Sequence, residues 1–243
     1  MKNITLSISG GGIRSAAALG VINYLDQNNY NITAVSGSSA GSVIAFLLAA
    51  GYNHDQIAQF ILNIDKWKLL RPTTKSFLSL SVLEKELKRL NIKSFKKRLF
   101  VCTTNIKSGQ PVYFDSEVHN VDLMIKAVVA SCTLIPLFKP IEYMNMLLAD
   151  GGYTDNLPNI MFKDTYNISI NVNNVDTTNF SYRPLKLSGR LFLTVMNSNV
   201  NAAAKRSKIY INVDTLENIN LFDFKKIYSI IEYGYRKAKE ILD

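Results

Sequence analysis

Histidine, the side chain most often used as a general base near neutral pH, occurs only twice in 243 residues, as His54 and His119. His54 lies in Asn53-His54-Asp55-Gln56, a polar helix start, and His119 in a polar stretch, so both are expected at the surface. Cysteine is equally scarce. Cys102 and Cys132 sit inside apolar runs without metal-ligand or redox spacing, and are expected as reduced core residues. No His/Cys/carboxylate cluster has the spacing of a zinc site. Long apolar runs are missing too: nothing approaches a membrane-spanning length, and Ile4 to Ile8 is too short for the central region of a signal peptide. A cytoplasmic protein with at most peripheral membrane contact is expected; export without a signal leaves no trace in such an argument. Repeats, low-complexity tracts and Gly/Ser/Pro linkers are absent, so residues 1–243 are expected to form one domain, with Asn173 to Pro184 its loosest surface loop. Acidic residues are outnumbered 19 to 28 by Lys and Arg, a net charge of +9 that calls for an acidic partner, nucleic acid or anionic lipid head groups. Only 19% of residues are charged and 47% are hydrophobic, which excludes a disordered chain.

What is present alternates strand and helix. Ile4–Ile8, Ile32–Val35, Leu99–Asn105, Pro111–Phe114, Met146–Ala149, Ile168–Val172 and Ile209–Val213 read as strands. Helices are expected over Ala16–Leu25, over the nearly all-apolar and therefore buried Ala40–Ala50, over Val121–Ser131 and over Asp223–Leu242. This rhythm predicts an α/β fold, a three-layer α/β/α sandwich around a mostly parallel sheet. Ligands then bind beyond the carboxyl ends of the strands.

Three motifs fall at such strand ends. Gly37-Ser38-Ser39-Ala40-Gly41 is a G-x-S-x-G between a strand and a buried helix, the setting a nucleophile elbow requires; Ser38 occupies its variable position. Gly10-Gly11-Gly12-Ile13-Arg14 follows the first strand, and three glycines leave their amides unobstructed, able to aim two donors at one oxyanion. The same loop could cradle a nucleotide phosphate. Against that stand Ser15 at the sixth position, no acidic residue after Val35-Ser36, and no Gly-Lys-Ser/Thr. Arg14 either holds this loop, meets an anionic substrate group or is a solvated helix-start arginine. Asp150-Gly151-Gly152 ends a later strand, and an aspartate there shares an edge with both glycine loops. An α/β-hydrolase triad needs a histidine after its acid, and neither histidine lies beyond Asp150. If Ser39 is a nucleophile, a carboxylate must deprotonate it directly, and Asp150 is the candidate.

In combination, Gly-Gly-Gly-x-Arg, Gly-x-Ser-x-Gly and a distant Asp-Gly-Gly resemble the patatin-like phospholipases. The stretches Ala130-Ser131-Cys132-Thr133-Leu134-Ile135-Pro136-Leu137-Phe138 and Asp150 to Pro158 match that family's habits as well. The resemblance runs from residue 6 to about 158; from Ile160 onward only the strand and helix rhythm matches. It implies a Ser39–Asp150 dyad, an oxyanion loop at Gly10, Gly11, Gly12 and Arg14 with Gly11 and Gly12 as the donors, and motif support from Gly37, Gly41, Gly151 and Gly152. It further implies hydrolysis of phospholipid or other glycerolipid acyl esters, without metal or cofactor. Ser15 departs from the family, which usually has glycine there. Three other readings stay open: a malonyl-transferase type of acyltransferase, which would need a histidine partner, a nucleotide-binding module on the Gly10 loop, and a non-catalytic lipid-binding protein.

Two basic stretches suit an anionic membrane. Leu83 to Leu99 sets Leu83, Leu87 and Leu90 against Lys85, Lys88, Arg89, Lys93, Lys96, Lys97 and Arg98, behind a Ser81-x-x-Glu84 capping box. A solvated helix face packed on the sheet explains the same pattern. Lys66-Trp67-Lys68-Leu69-Leu70-Arg71 places a tryptophan among cations. No motif supports nucleic-acid binding.

Overall fold

The computed structural model describes residues 2–65, 78–173, 184–214, 219 and 223–243. The Lys66–Arg71 stretch, and all of the Asn173–Pro184 stretch between its two end residues, lie outside the described residues.

The sheet among the described residues has eight strands: β1 (Lys2–Ile8), β2 (Tyr30–Ser38), β3 (Arg98–Asn105), β4 (Gln110–Asp115), β5 (Ile141–Tyr143), β6 (Met146–Asp150), β7 (Asn167–Asn171) and β8 (Ile209–Asn212). The helices are α1 (Ala17–Gln27), α2 (Ala40–Ala50), α3 (His54–Asn63), α4 (Ser81–Arg89), α5 (Val121–Ser131), α6 (Pro184–Ser198), α7 (Val200–Arg206) and α8 (Ile227–Leu242). Strands β3-β2-β1-β7-β8 run parallel, as expected. Strands β4, β5 and β6 enter antiparallel, so the sheet is mixed. For β3–β4 and β5–β6 the cause is connection length: four and two residues can only return the chain as a hairpin.

Alternation along the strands sorts the two faces. Ile4, Leu6 and Ile8 share one core with Val35, Leu99, Val101, Ile168 and Ile170, packed against α1, α2 and α5. The polar residues between them are buried as well. Asn167 Nδ2 donates to Thr5 Oγ1 and Ser7 Oγ, each at 3.1 Å, and Ser36 donates to Ser7 at 3.0 Å. Asn159, from the segment covering this face, donates to Ser169 Oγ at 3.2 Å and to the Ala203 carbonyl of α7 at 2.7 Å. Each such bond contributes about 1 kcal/mol net, and leaving one unmade underneath a covering layer costs more.

Helix α4 corrects the reading of a basic helix over Leu83–Leu99. It stops at Arg89 because Asn91 takes a left-handed φ of 49°, a conformation asparagine tolerates just past a helix end. Lys93, Lys96 and Lys97 therefore lie outside it. The capping box is not formed either: Leu80 is the cap residue, Ser81 Oγ pairs with Ser79 Oγ, and Glu84 accepts from Lys88 at 2.6 Å.

Candidate active site

Each residue of β3 has two edges, and their allocation builds the site. β4 pairs with Phe100 through Asn105, filling one edge. β2 pairs with Arg98 through Cys102 and β6 with Thr103 through Asn105, so these two occupy the other edge in succession. Ser38, the last residue of β2, sits beside Cys102, and Asp150, the last of β6, beside Thr103. The two strands meet end to end, and Ser39 turns off between them into α2.

Ser39 has φ 50° and ψ −132°, a conformation that side-chain-bearing residues rarely adopt outside strained functional turns. The turn is tight enough to demand glycine. A Cβ on Gly41 would lie 2.5 Å from the Ser9 carbonyl oxygen and 2.6 Å from that of Ile8. A Cβ on Gly151 would lie 2.3 Å from the Cys102 carbonyl oxygen. Ser39 Oγ donates to Asp150 Oδ2 at 2.7 Å. The other carboxylate oxygen accepts from the Gly152 amide at 2.8 Å, and Thr104 Oγ1 donates to the Asp150 carbonyl at 2.8 Å. Only 1% of Asp150 is exposed. That burial pushes its pKa up to about 7, against the hydrogen bonds from Ser39 and Gly152, which favour the carboxylate. A carboxylate raised this far could both take and return a proton near neutral pH.

The glycine loop lies against Ser39: a Cβ on Gly10 would sit 2.6 Å from that of Ser39. Gly11 and Gly12 take φ of 158° and 57°. Within the loop, the Gly10 amide donates to Asn156 Oδ1 at 3.1 Å, and Asn173 Nδ2 donates to the Gly10 carbonyl. The Arg14 amide closes the turn onto the Gly11 carbonyl at 3.2 Å. The buried Arg14 guanidinium donates through Nε to the Ile219 carbonyl at 2.7 Å, so it holds neighbouring chain. Ser15, where glycine was expected by resemblance, fits by donating to the Ser9 carbonyl at 3.1 Å.

A cavity of about 170 Å³ opens on Ser39, Asp150, Gly11 and Gly12. Its walls are apolar, from Ile13, Val43, Ile44, Ile61, Leu83 and Phe138 among others. Cys132 is half-buried on this wall and not in the closed core; Cys102 is fully buried. Burial raises both thiols well above the ordinary range, so neither is a ready nucleophile.

Both histidines lie far from the serine. His54 follows the carboxyl end of α2, and His119 precedes the amino end of α5, whose other end carries Ser131. Eleven residues of helix separate each from the Ser39 end, about 16 Å. They are half-buried, not fully at the surface: His54 approaches Asp55 at 3.5 Å, and His119 bonds the Asp115 carbonyl at 3.0 Å. Among the described residues no group of three or more His, Cys, Asp or Glu side chains could hold a metal ion.

Three residues at the site had no role in the sequence reading. Ser131 accepts from the Ser39 amide, Asn156 engages Gly10, and Met196 of α6 lies over Gly10 and Gly152. Ser131 and Asn156 fell inside recognised motif blocks, which was their only signal. Met196 had none.

A family model described as patatin-like phospholipase matches residues 6–162. An uncharacterized protein, R571, of Acanthamoeba polyphaga mimivirus is 30% identical over 191 residues, covering 69% of this chain and 64% of that protein. Lysophospholipase NTE1 of Debaryomyces hansenii is 28% identical over 191 residues, 72% of this chain and 12% of that protein. The chain thus spans less than two thirds of either relative. VipD from Legionella pneumophila shares the fold, with a TM-score of 0.62 at 19% identity, over 100% of this chain and 66% of that one.

Proposed function

The chain belongs to the patatin-like phospholipase family, and from that premise we propose that it is a serine acyl hydrolase acting on fatty-acyl esters of phospholipids or related glycerolipids. The observation that carries this reading is the 2.7 Å Ser39–Asp150 hydrogen bond, both residues lining an apolar cavity. Asp150 takes the Ser39 proton as Oγ attacks the ester carbonyl carbon. The oxygen of the tetrahedral intermediate becomes negative, facing the Gly11 and Gly12 amides and the amino end of α2. Collapse expels the lipid alcohol, which leaves with the proton from Asp150. Asp150 then deprotonates water, water cleaves the acyl-enzyme, and the fatty acid is released as Ser39 regains its proton. The apolar cavity wall is where the acyl chain would lie.

The nucleotide-binding alternative fits poorly, since the Gly10 loop faces a serine and an apolar wall in place of polar ribose contacts. A histidine-dependent acyltransferase finds both histidines at the wrong helix ends. A silent lipid-binding protein is separated by experiment. Incubation with mixed phospholipid vesicles, followed by mass spectrometry of the products, should show free fatty acid and lysolipid or glycerophospho-alcohol. Intact lipids with wild-type protein and with Ser39→Ala alike would leave only the binding reading.

Peripheral contact with an anionic membrane belongs to the same proposal, but its location moves. The Lys96 and Lys97 amides donate to the Ala49 carbonyl at 2.7 and 3.2 Å, anchoring that cluster at the far end of α2 from Ser39. Better placed is the tip formed where β3 and β6 run beyond β2. Asn105 lies three residues past Cys102, about 10 Å along the strand. There the Ile106 amide donates to the Leu147 carbonyl and Lys107 Nζ reaches the Asn145 carbonyl, at 2.8 and 3.1 Å. Ile106 is 42% exposed and Met144 80%, apolar side chains beside a cation, suited to an anionic lipid surface. No helix among the described residues is long and apolar enough to cross a membrane.

A further inference from the structure

Ser131 ends α5, fully buried, with its Oγ 2.6 Å from the Cys102 carbonyl oxygen and 2.8 Å from the Ser39 amide nitrogen. A carbonyl oxygen can only accept, so the Ser131 proton is committed to Cys102 and a lone pair faces the Ser39 N–H. Two consequences follow. Ser131 has no proton to give to substrate, which excludes it as an acid or an oxyanion donor. The Ser39 amide is likewise engaged, which leaves oxyanion stabilisation to the glycine loop and the start of α2.

The anchoring matters because of where its two partners lie. Ser39 holds a φ of 50°, a backbone state that its surroundings must enforce. Its carbonyl is fixed by Ser42, through the amide at 2.9 Å and Oγ at 2.6 Å. Ser131 fixes its amide, so both sides of the Ser39 Cα are clamped and the side chain is left to Asp150. Cys102 is the β3 residue beside Ser38, and Thr103, its neighbour, lies beside Asp150. One hydroxyl thus ties the nucleophile's backbone to the strand that carries its base.

We propose that Ser131 is a positioning residue that fixes Ser39 against β3 and thereby sets the Ser39–Asp150 approach. This rests on the reading of Ser39 as nucleophile. The test compares wild type, Ser131→Ala and Ser131→Cys in steady-state hydrolysis of a soluble ester and in the rate of fluorophosphonate labelling. Misplacement of a reacting group by about 1 Å costs up to ~10²-fold, so Ser131→Ala should lose on the order of 10- to 100-fold in kcat and labelling rate. KM should change little, and the acid limb of the pH profile should stay in place because Ser131 does not bond Asp150. Ser131→Cys keeps a weak donor and acceptor at the same point and should fall between. A Ser131→Ala protein labelled as fast as wild type overturns the proposal, as does a loss explained wholly by its unfolded fraction. Amide hydrogen exchange in the wild type tests the clamp without any variant: slow exchange at Ser39 supports it, and exchange at the rate of a free amide overturns it. Absence of labelling in the wild type would instead sink the hydrolase reading itself, a result distinguishable from equal labelling of both proteins.

Discussion

Ser39 donates a 2.7 Å hydrogen bond to Asp150 across 111 residues of chain, because β6 takes up on the edge of β3 at the point where β2 leaves it. The contact is a product of strand register, and its consequences can be measured.

Loss of either partner should remove most of the chemistry. Ser39→Ala and Asp150→Asn are each expected to lower kcat on a soluble ester by roughly 10³-fold or more while leaving the circular dichroism unchanged. Substantial activity in Asp150→Asn would mean that another base operates.

The pH dependence follows from burial. In the proposed mechanism Asp150 must be ionised to accept the Ser39 proton, and burial pushes its pKa up to about 7. The logarithm of kcat/KM should rise with unit slope below that pH and level off above it. A profile flat from pH 5 to 8 would show that Asp150 titrates elsewhere.

Stability should run the other way. A folded-state pKa raised from 3.8 to about 7 favours the protonated native form, so this group's contribution is full below 3.8 and lost as pH rises through about 7. Asp150→Asn escapes that loss. Its Tm relative to wild type is expected to be more favourable at pH 8 than at pH 5; the same difference at both would count against a buried, raised carboxylate.

Much of this arrangement was legible in the residues. The bounds of α2 and α5 agree with the apolar runs Ala40–Ala50 and Val121–Ser131, since an unbroken buried helix leaves little room for ambiguity. Ser39 and Asp150 could be paired by eliminating His54 and His119. The end of α4 is not legible in the same way: Leu90 prolongs the apolar spacing of Leu83 and Leu87, and the left-handed turn at Asn91 that stops the helix is a backbone choice this spacing does not dictate. Ser131 lies 92 residues from Ser39 in sequence, and only tertiary packing gives its hydroxyl a purpose. The layer of Ser7, Asn167 and Ser169 has no sequence signature of its own, because its partners, the Asn159 side chain and the Ala203 carbonyl, are brought over it only by the fold.

The elbow's glycines should tolerate no side chain. Gly41→Ala places a methyl 2.5 Å from the Ser9 carbonyl oxygen, and overpacking of that kind costs about 1–3 kcal/mol. Urea unfolding should show that loss together with reduced labelling of Ser39; unchanged stability would mean the turn relaxes freely.

Membrane contact should depend on the tip and not on the lysines behind α2. Ile106→Ser with Met144→Ser should weaken sedimentation with phosphatidylserine vesicles, whereas Lys93, Lys96 and Lys97 replaced together by Gln should change it little. Binding should also fall with salt, as the Debye length shrinks from ~10 Å at 0.1 M to ~3 Å at 1 M. The reverse ranking of the two sets of variants would return the contact to the lysine cluster.

The central claim is most directly tested by treating the protein with a fluorophosphonate ester at pH 8 and locating the adduct by peptide mass spectrometry. A single adduct on Ser39, formed at least 10²-fold more slowly in Asp150→Asn, is the predicted result, since the dyad acts as a unit. An unlabelled Ser39 in folded wild-type protein, or equal labelling with and without the Asp150 carboxylate, would contradict it.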